Sequence, residues 1–324
     1  MAPEITVLMS VYNGEKYLRE AVESILNQTF SDFEFLIIDD ASTDSSLEIL
    51  QSYDDPRIKI IRNIENLGLT KSLNIGIRLA KREYIARMDA DDISLPERFE
   101  RQITFLKNHP DIALAGTFYQ NIDHEGNIFG TCNLLLKPRY QDFIKGNCII
   151  HGSVMVRSEV MVTISGYNEL IKKCQDYALW LQLAKEYQLC NIPDVLYKLR
   201  IHENSVSIKG WEESKYYHIL AVRMAEGTIP QALIDEIASS GIRCLRNYLT
   251  KSEWVFYCSS MAEYYRFYGD LKRARMVYWK IFLTEPWNIL NLLNLVRVSF
   301  GNRVLDTTGQ LYTYLINIYY LYRN

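Results

Sequence analysis

Ala86-Arg87-Met88-Asp89-Ala90-Asp91-Asp92 sets carboxylates two residues apart at the end of an apolar, strand-like run, Tyr84 to Met88. On an extended chain, side chains at i and i+2 point the same way, so Asp89 and Asp91 could serve one ligand. Like charges held that close repel, and a divalent cation relieves the repulsion. Oxygen ligands suit a hard ion such as Mg²⁺ or Mn²⁺, which commonly bridges a carboxylate and a phosphate-bearing substrate. An isolated Asp-x-Asp is equally the mark of a solvated turn. Its meaning depends on what else the fold brings to the same edge.

The first half of the chain alternates strand and helix patterns. Apolar runs at Ile5–Val11, Phe33–Ile38, Ile58–Arg62 and Tyr84–Met88 are separated by helical periodicities from Asn13-Gly14 to Leu26, over Ser45–Tyr53 and over Thr70–Ala80. Runs apolar on both faces and separated by helices predict a mostly parallel sheet covered on both sides. Ligands bind such sheets beyond the carboxyl ends of the strands. Three polar clusters fall there: Ser10-Val11-Tyr12-Asn13, Asp39 to Asp44, and Asp89 to Asp92. Ser94-Leu95-Pro96-Glu97 has the form of a capping box opening a helix to Asn108. A strand is expected over Asp111–Gln120, a polar turn over Asp123–Ile128, a short strand over Ser153–Arg157, a helix over Asp176–Glu186 and a strand over Leu196–Ile201. From Gly210 onward the pattern is helical, which places a boundary between residues 1–210 and 211–324.

The 324 residues have an ordinary hydrophobic fraction of 48% and a net charge of −3, which gives no electrostatic case for nucleic acid. No basic region followed by a long apolar stretch precedes Ile5, so no leader is expected. The six cysteines form no C-x-x-C and no metal-ligand spacing, as expected of reduced thiols in a cytoplasmic protein.

With these segments laid out, the chain resembles the family 2 inverting glycosyltransferases of the GT-A type, in their bacterial glycan-synthesis form. The resemblance rests on Ile5 to Gly14, Phe30 to Asp44, Asn66-Leu67-Gly68, Asp89-Ala90-Asp91-Asp92, Cys174-Gln175-Asp176-Tyr177-Ala178-Leu179-Trp180, and Tyr197 to Ser205, in that order. It implies a GT-A nucleotide-diphospho-sugar transferase fold with an α-helical C-terminal extension. It also implies hexosyl or N-acetylhexosaminyl transfer from a UDP-sugar, with Mn²⁺ or Mg²⁺, to a hydroxyl of a glycan or lipid-linked acceptor. A non-catalytic nucleotide-sugar-binding subunit is the alternative.

By family position, Asp40 accepts the uracil N3–H, Ser10 and Tyr12 frame the base, and Asp39 lies near the nucleotide. Asp40 is otherwise an Asx-turn residue. Asp91 is the direct metal ligand, with Asp89 toward the ribose or the metal's waters, and Asp92 a loop or cap residue. Lys71 reaches the nucleotide or is a surface lysine. Asp176, at a helix N-terminus that favours the charged form, is the general base. Gln175 stands where many members have Glu. His202 is an extra metal or diphosphate ligand or a structural histidine, and Arg200 meets phosphate or stabilises its loop. His151 lines the acceptor side or is structural.

The tyrosine-rich C-terminal third allows two readings. Its apolar stretches, Trp287–Phe300 and Leu311–Tyr322, pack onto the rest of the protein or a partner, or they lie at the cytoplasmic face of a membrane with Lys280, Arg297 and Arg303 toward anionic lipid. Residues 262–278 resemble a tetratricopeptide-like helix pair.

Overall fold

The computed structural model describes residues 3–202, 210–267 and 270–284. Two compact units divide the chain, Met1–Ile229 and Pro230–Asn324. Trp287–Phe300 and Leu311–Tyr322 lie outside the described residues.

In the first unit the alternation of strand and helix patterns becomes a mixed sheet. Its parallel half contains β1 (Ile5–Val11), β2 (Phe33–Asp39), β3 (Ile58–Arg62) and β4 (Tyr84–Met88), in the spatial order β3-β2-β1-β4. Beyond β4 come β8 (Met155–Arg157), β6 (Ile112–Ile122), β9 (Gln188–Arg200) and β5 (Ile93–Ser94), with β7 (Ile128–Cys132) paired to β6. β8 is antiparallel to β4 and β6, whereas β9 runs parallel to β6.

Successive strand residues face opposite sides, and the two cores follow that alternation. Val7, Met9, Phe35, Ile37, Ala86 and Met88 pack against α1 (Glu15–Leu26) and α4 (Arg98–Asn108). Leu8, Leu36, Ile38 and Ile85 pack with α3 (Leu69–Leu79), α6 (Ser158–Thr163) and α7 (Gln175–Leu183). β1 is left by β2 on one side and β4 on the other, so the order of strands reverses there and a crevice opens at their carboxyl ends. The short helix α2 (Ser46–Gln51) joins the first of these cores through Leu50, and α5 (Tyr140–Lys145) joins the second through Phe143.

Ser94 does not cap a helix. It sits in β5, opposite Tyr197 of β9, and α4 begins only at Arg98, behind Glu97 with no side-chain cap. The cause is Gln28, whose buried amide donates to Ser94 Oγ at 3.1 Å and to the Leu95 carbonyl at 2.8 Å, while its Oε1 takes the Phe99 N–H at 3.1 Å. A tertiary contact overrides the local capping signal. β9 starts eight residues before the expected Leu196, and the expected polar turn at Asp123–Ile128 leads into β7, a strand not expected there.

α8 (Trp211–Glu226) packs along α7, so the first compact unit carries one helix more than a boundary at Gly210 would give it. His218 of α8 stacks on Tyr177 at 4.2 Å with 8° between the rings. Burial, with Lys215 as a second cause, pushes the His218 imidazole down to about 4. Below the ordinary histidine value of about 6.5 the unfolded chain then binds more protons than the folded one. His218 thus contributes stability that is present above about pH 6.5 and lost as pH falls toward 4. Urea unfolding of the wild type is expected to give a lower midpoint at pH 5 than at pH 7. His218→Phe should narrow that difference, and an unchanged difference would contradict the assignment.

The second unit contains α9 (Gln231–Ser240), a 3₁₀ stretch (Ile242–Tyr248), and the packed pair α10 (Lys251–Phe267) and α11 (Leu271–Thr284). Tyr278 of α11 donates its hydroxyl to Glu263 of α10. The expected helix pair is present. Among the described residues no helix is long and apolar enough to cross a membrane.

Candidate active site

The loops leaving β1 and β2 are laced together. Asn13 N–H donates to Ser42 Oγ at 3.1 Å, Gly14 N–H to Ser46 Oγ at 2.8 Å, and Thr43 N–H to Asn13 Oδ1 at 2.8 Å. Asn13 and Ala41 hold φ of 52° and 60°, a conformation that costs energy in a non-glycine residue and persists where surroundings impose it. Ser10 is buried at the end of β1, while the Tyr12 ring is half exposed beyond it. Asp40 is buried, and its Oδ1 accepts from Asn63 Nδ2 at 2.7 Å and Leu67 N–H at 2.9 Å; Oδ2 accepts from Gly68 N–H at 2.8 Å. A carboxylate has about four acceptor positions, so one on Oδ2 remains. Asp39 Oδ1 takes the Ser42 N–H at 3.1 Å, while Oδ2 faces Arg62 Nε at 3.3 Å without a hydrogen bond. Lys71 is exposed on the first turn of α3.

At the acidic turn the expected geometry is corrected. β4 ends at Met88 and the chain turns through Ala90 and Asp91, so Asp89 and Asp91 are not adjacent members of one extended face. Asp89 Oδ1 pairs with the buried Arg87 guanidinium at 2.6 Å. Asp91 Oδ2 lies 2.9 Å from His202 Nε2 at the end of β9. Asp92 is a buried weld rather than a cap: it accepts from the Tyr197 hydroxyl at 2.8 Å and the Arg200 N–H at 2.7 Å. Burial first, then the charges of Asp91 and Asp89, pushes its carboxyl well above the usual range. Tyr197 also receives the Asp89 N–H at 3.4 Å.

Arg200 is buried, and three of its five N–H donors are engaged. Nε bonds the Asp91 carbonyl at 2.8 Å, Nη1 the Asp123 carbonyl at 3.2 Å, and Nη2 pairs with Glu20; the guanidinium also lies 4.5 Å over the Tyr17 ring. It braces the acidic turn. Arg98, fully buried, does the same from below, donating to the Arg87 carbonyl at 2.6 Å and the Val154 carbonyl at 3.2 Å.

Asp176 stands in the first turn of α7, half-buried, and its Oδ2 accepts from Asn147 Nδ2 at 3.0 Å. The helix is entered through Cys174, held at φ 56°. Gln175 is buried beside it. His151 belongs to the wall beneath. It is buried, its Nε2 meets the Tyr167 hydroxyl at 2.7 Å, and its ring stands edge-on to Trp180 at 6.1 Å. Burial, then the charge of Arg87, pushes its imidazole down to about 4, which keeps it neutral at pH 7. His151 is thus a buried imidazole anchored through Nε2 to Tyr167.

Residues 6–160 match the family described as Glycosyl transferase family 2. An uncharacterized glycosyltransferase of Methanocaldococcus jannaschii, MJ1057, is 36% identical over 223 residues, covering 66% of this chain and 77% of that one. The chain belongs to glycosyl transferase family 2. Its fold matches Staphylococcus aureus TarS 1–349 in complex with UDP-GlcNAc at a TM-score of 0.57 and 16% identity, over 95% of this chain and 92% of that one. It also matches the mannosyltransferase PcManGT of Pyrobaculum calidifontis, in complex with GDP-Man and Mn²⁺, at 0.54 and 16%, over 94% and 88%. The fold of this glycosyltransferase is therefore the GT-A type.

Among the described residues no three His, Cys, Asp or Glu side chains are gathered as a ready-made metal cage. The Asp91–His202 pair nevertheless fits a Mg²⁺ or Mn²⁺ site, because such ions are commonly held by one or two protein ligands with substrate phosphates completing the shell. The sequence alone missed Arg87 beside Asp89, Tyr197 beside Asp92, Asn147 beside Asp176, and Gly152, where a Cβ would strike the Tyr197 hydroxyl. An arginine inside an apolar strand was the one local signal, since a buried cation demands a partner.

Proposed function

We propose that this glycosyltransferase is a metal-dependent, inverting enzyme that moves a sugar from a UDP-sugar to a hydroxyl of a glycan or lipid-linked acceptor in the cytoplasm. The observation that carries the reading is the meeting of Asp91 and His202 on the sheet edge that also bears Asp40, with Asp176 held at a helix N-terminus. The UDP-GlcNAc bound by TarS and the GDP-Man and Mn²⁺ bound by PcManGT support the donor class and the metal.

Asp40 uses its remaining acceptor position for the uracil N3–H, and the Tyr12 ring covers the base. Asp91 and His202 would hold the cation, with Asp89 toward the ribose. When bound, the ion supplies Lewis-acid stabilisation of the charge on the departing diphosphate. Asn147 occupies one oxygen of Asp176, which leaves the other to take the acceptor hydroxyl's proton. The acceptor's oxygen, as it loses that proton, attacks the anomeric carbon while the bond to the diphosphate breaks. A single in-line displacement inverts the centre. Gln175 supplies a neutral amide beside the base, orienting a sugar hydroxyl without adding charge.

The test is turnover of UDP-sugars with Mn²⁺ and sugar acceptors, with the anomeric configuration of the product read by NMR. Inverted product supports the reading, and retained configuration contradicts it. Tight Mn²⁺-dependent UDP binding with no transfer to any acceptor would favour the non-catalytic subunit.

A further inference from the structure

α11 has the sequence Leu-Lys-Arg-Ala-Arg-Met-Val-Tyr-Trp-Lys-Ile-Phe-Leu-Thr from Leu271 to Thr284, with four cations and no acidic residue. Its buried stripe is Ala274, Tyr278 and Ile281. On the opposite side Met276, Trp279 and Leu283 are exposed at 54%, 52% and 62%. At 3.6 residues per turn these three fall within a sector of about 60°. Lys280 and Arg273 border one side of that sector, Arg275 borders the other, and Lys272 continues it toward the N-terminus. Arg273 also faces Asp270 at 3.4 Å, which leaves the net charge of the helix strongly positive.

An exposed apolar sector would ordinarily be covered by another protein surface. Here its borders are uniformly cationic, and a protein partner would need a matching acidic rim around an apolar groove. A bilayer of anionic lipid presents that arrangement everywhere: negative headgroups above an apolar interior. Trp and long cationic side chains are the residues that settle at such a boundary, the indole at headgroup level and the cations reaching back to phosphate.

We propose that α11 is an interfacial helix that docks this glycosyltransferase onto an anionic phospholipid surface through Met276, Trp279 and Leu283, with Lys272, Arg275 and Lys280 on the headgroups. The docking face belongs to the second compact unit alone and uses none of the residues assigned to donor binding. Each cation near an anionic surface contributes about fivefold to binding, and the attraction is screened by salt.

The experiment is co-sedimentation of the full chain with equimolar phosphatidylglycerol–phosphatidylcholine vesicles and with pure phosphatidylcholine vesicles. Binding to the mixed vesicles that falls at high salt is expected, with little on phosphatidylcholine. W279S/L283S and K272E/K280E should each reduce partitioning by at least about tenfold. Both pairs change exposed side chains, and calorimetric binding of UDP with Mn²⁺ in the same preparations reports an intact catalytic unit. Three outcomes would overturn the proposal. One is no binding of wild type to anionic vesicles. The second is equal binding by both variants. The third is a change of oligomeric state in W279S/L283S without vesicle binding, which would make the sector a contact between copies of the chain.

Discussion

Asp176→Asn is expected to lower kcat by about two to four orders of magnitude, the usual loss on removing a general base, while leaving the affinity for UDP unchanged. The amide keeps the size of the side chain and can still pair with Asn147, so geometry is retained and only the proton acceptor is removed. A carboxylate at a helix N-terminus also stabilises the helix by about 0.3–1 kcal/mol, too little for its loss to unfold the protein. Steady-state transfer and calorimetry on the same preparation separate the two effects. A fall of less than tenfold in kcat would remove Asp176 from the role of base, and a parallel loss of UDP affinity would make it a binding residue.

Gly152→Ala is expected to cost about 1–3 kcal/mol of stability through overpacking and to weaken Mn²⁺-dependent UDP binding by at least tenfold. A Cβ at Gly152 would lie 2.0 Å from the Tyr197 hydroxyl oxygen, 2.5 Å from its Cζ and 2.7 Å from Asp89 Oδ2. Tyr197 is fully buried and hydrogen-bonded to Asp92, so it cannot swing away. The strain passes instead to the acidic turn, whose position depends on the contacts of Tyr197 with Asp89 and Asp92. Urea unfolding and a UDP titration check the two halves of this expectation. Donor binding at wild-type strength in a destabilised variant would show that the turn tolerates displacement.

The parallel half of the sheet was legible because β1, β2 and β4 are buried along their whole length and read as mostly apolar runs between helices. The polar clusters at their ends were legible for the same reason: Asp39, Asp40 and Asp89 are where such runs stop. Local pattern could not reveal partners far apart in the chain. Asp92 looked like a cap, yet its bonds are to Tyr197 and Arg200, more than a hundred residues on. Arg200 read as a phosphate contact or a loop brace, because a polar loop motif carries no record of Glu20 or of the Asp91 and Asp123 carbonyls that it bonds. His151 followed a similar course, since only the packed fold shows Tyr167 and Trp180 closing over its ring. The spacing of Asp89 and Asp91 was visible, but the turn that separates them was not. That turn directs one carboxylate to Arg87 and frees the other to meet His202.

Calorimetric titration of UDP, GDP and dTDP into the wild type and Asp91→Ala, with and without Mn²⁺, is the most direct test of the site as described. UDP-selective binding that requires Mn²⁺ and weakens by about a hundredfold in Asp91→Ala is the predicted result. Equal UDP binding with and without Mn²⁺, or in Asp91→Ala and the wild type, would contradict the assignment of Asp91 and His202 to a donor-bridging cation.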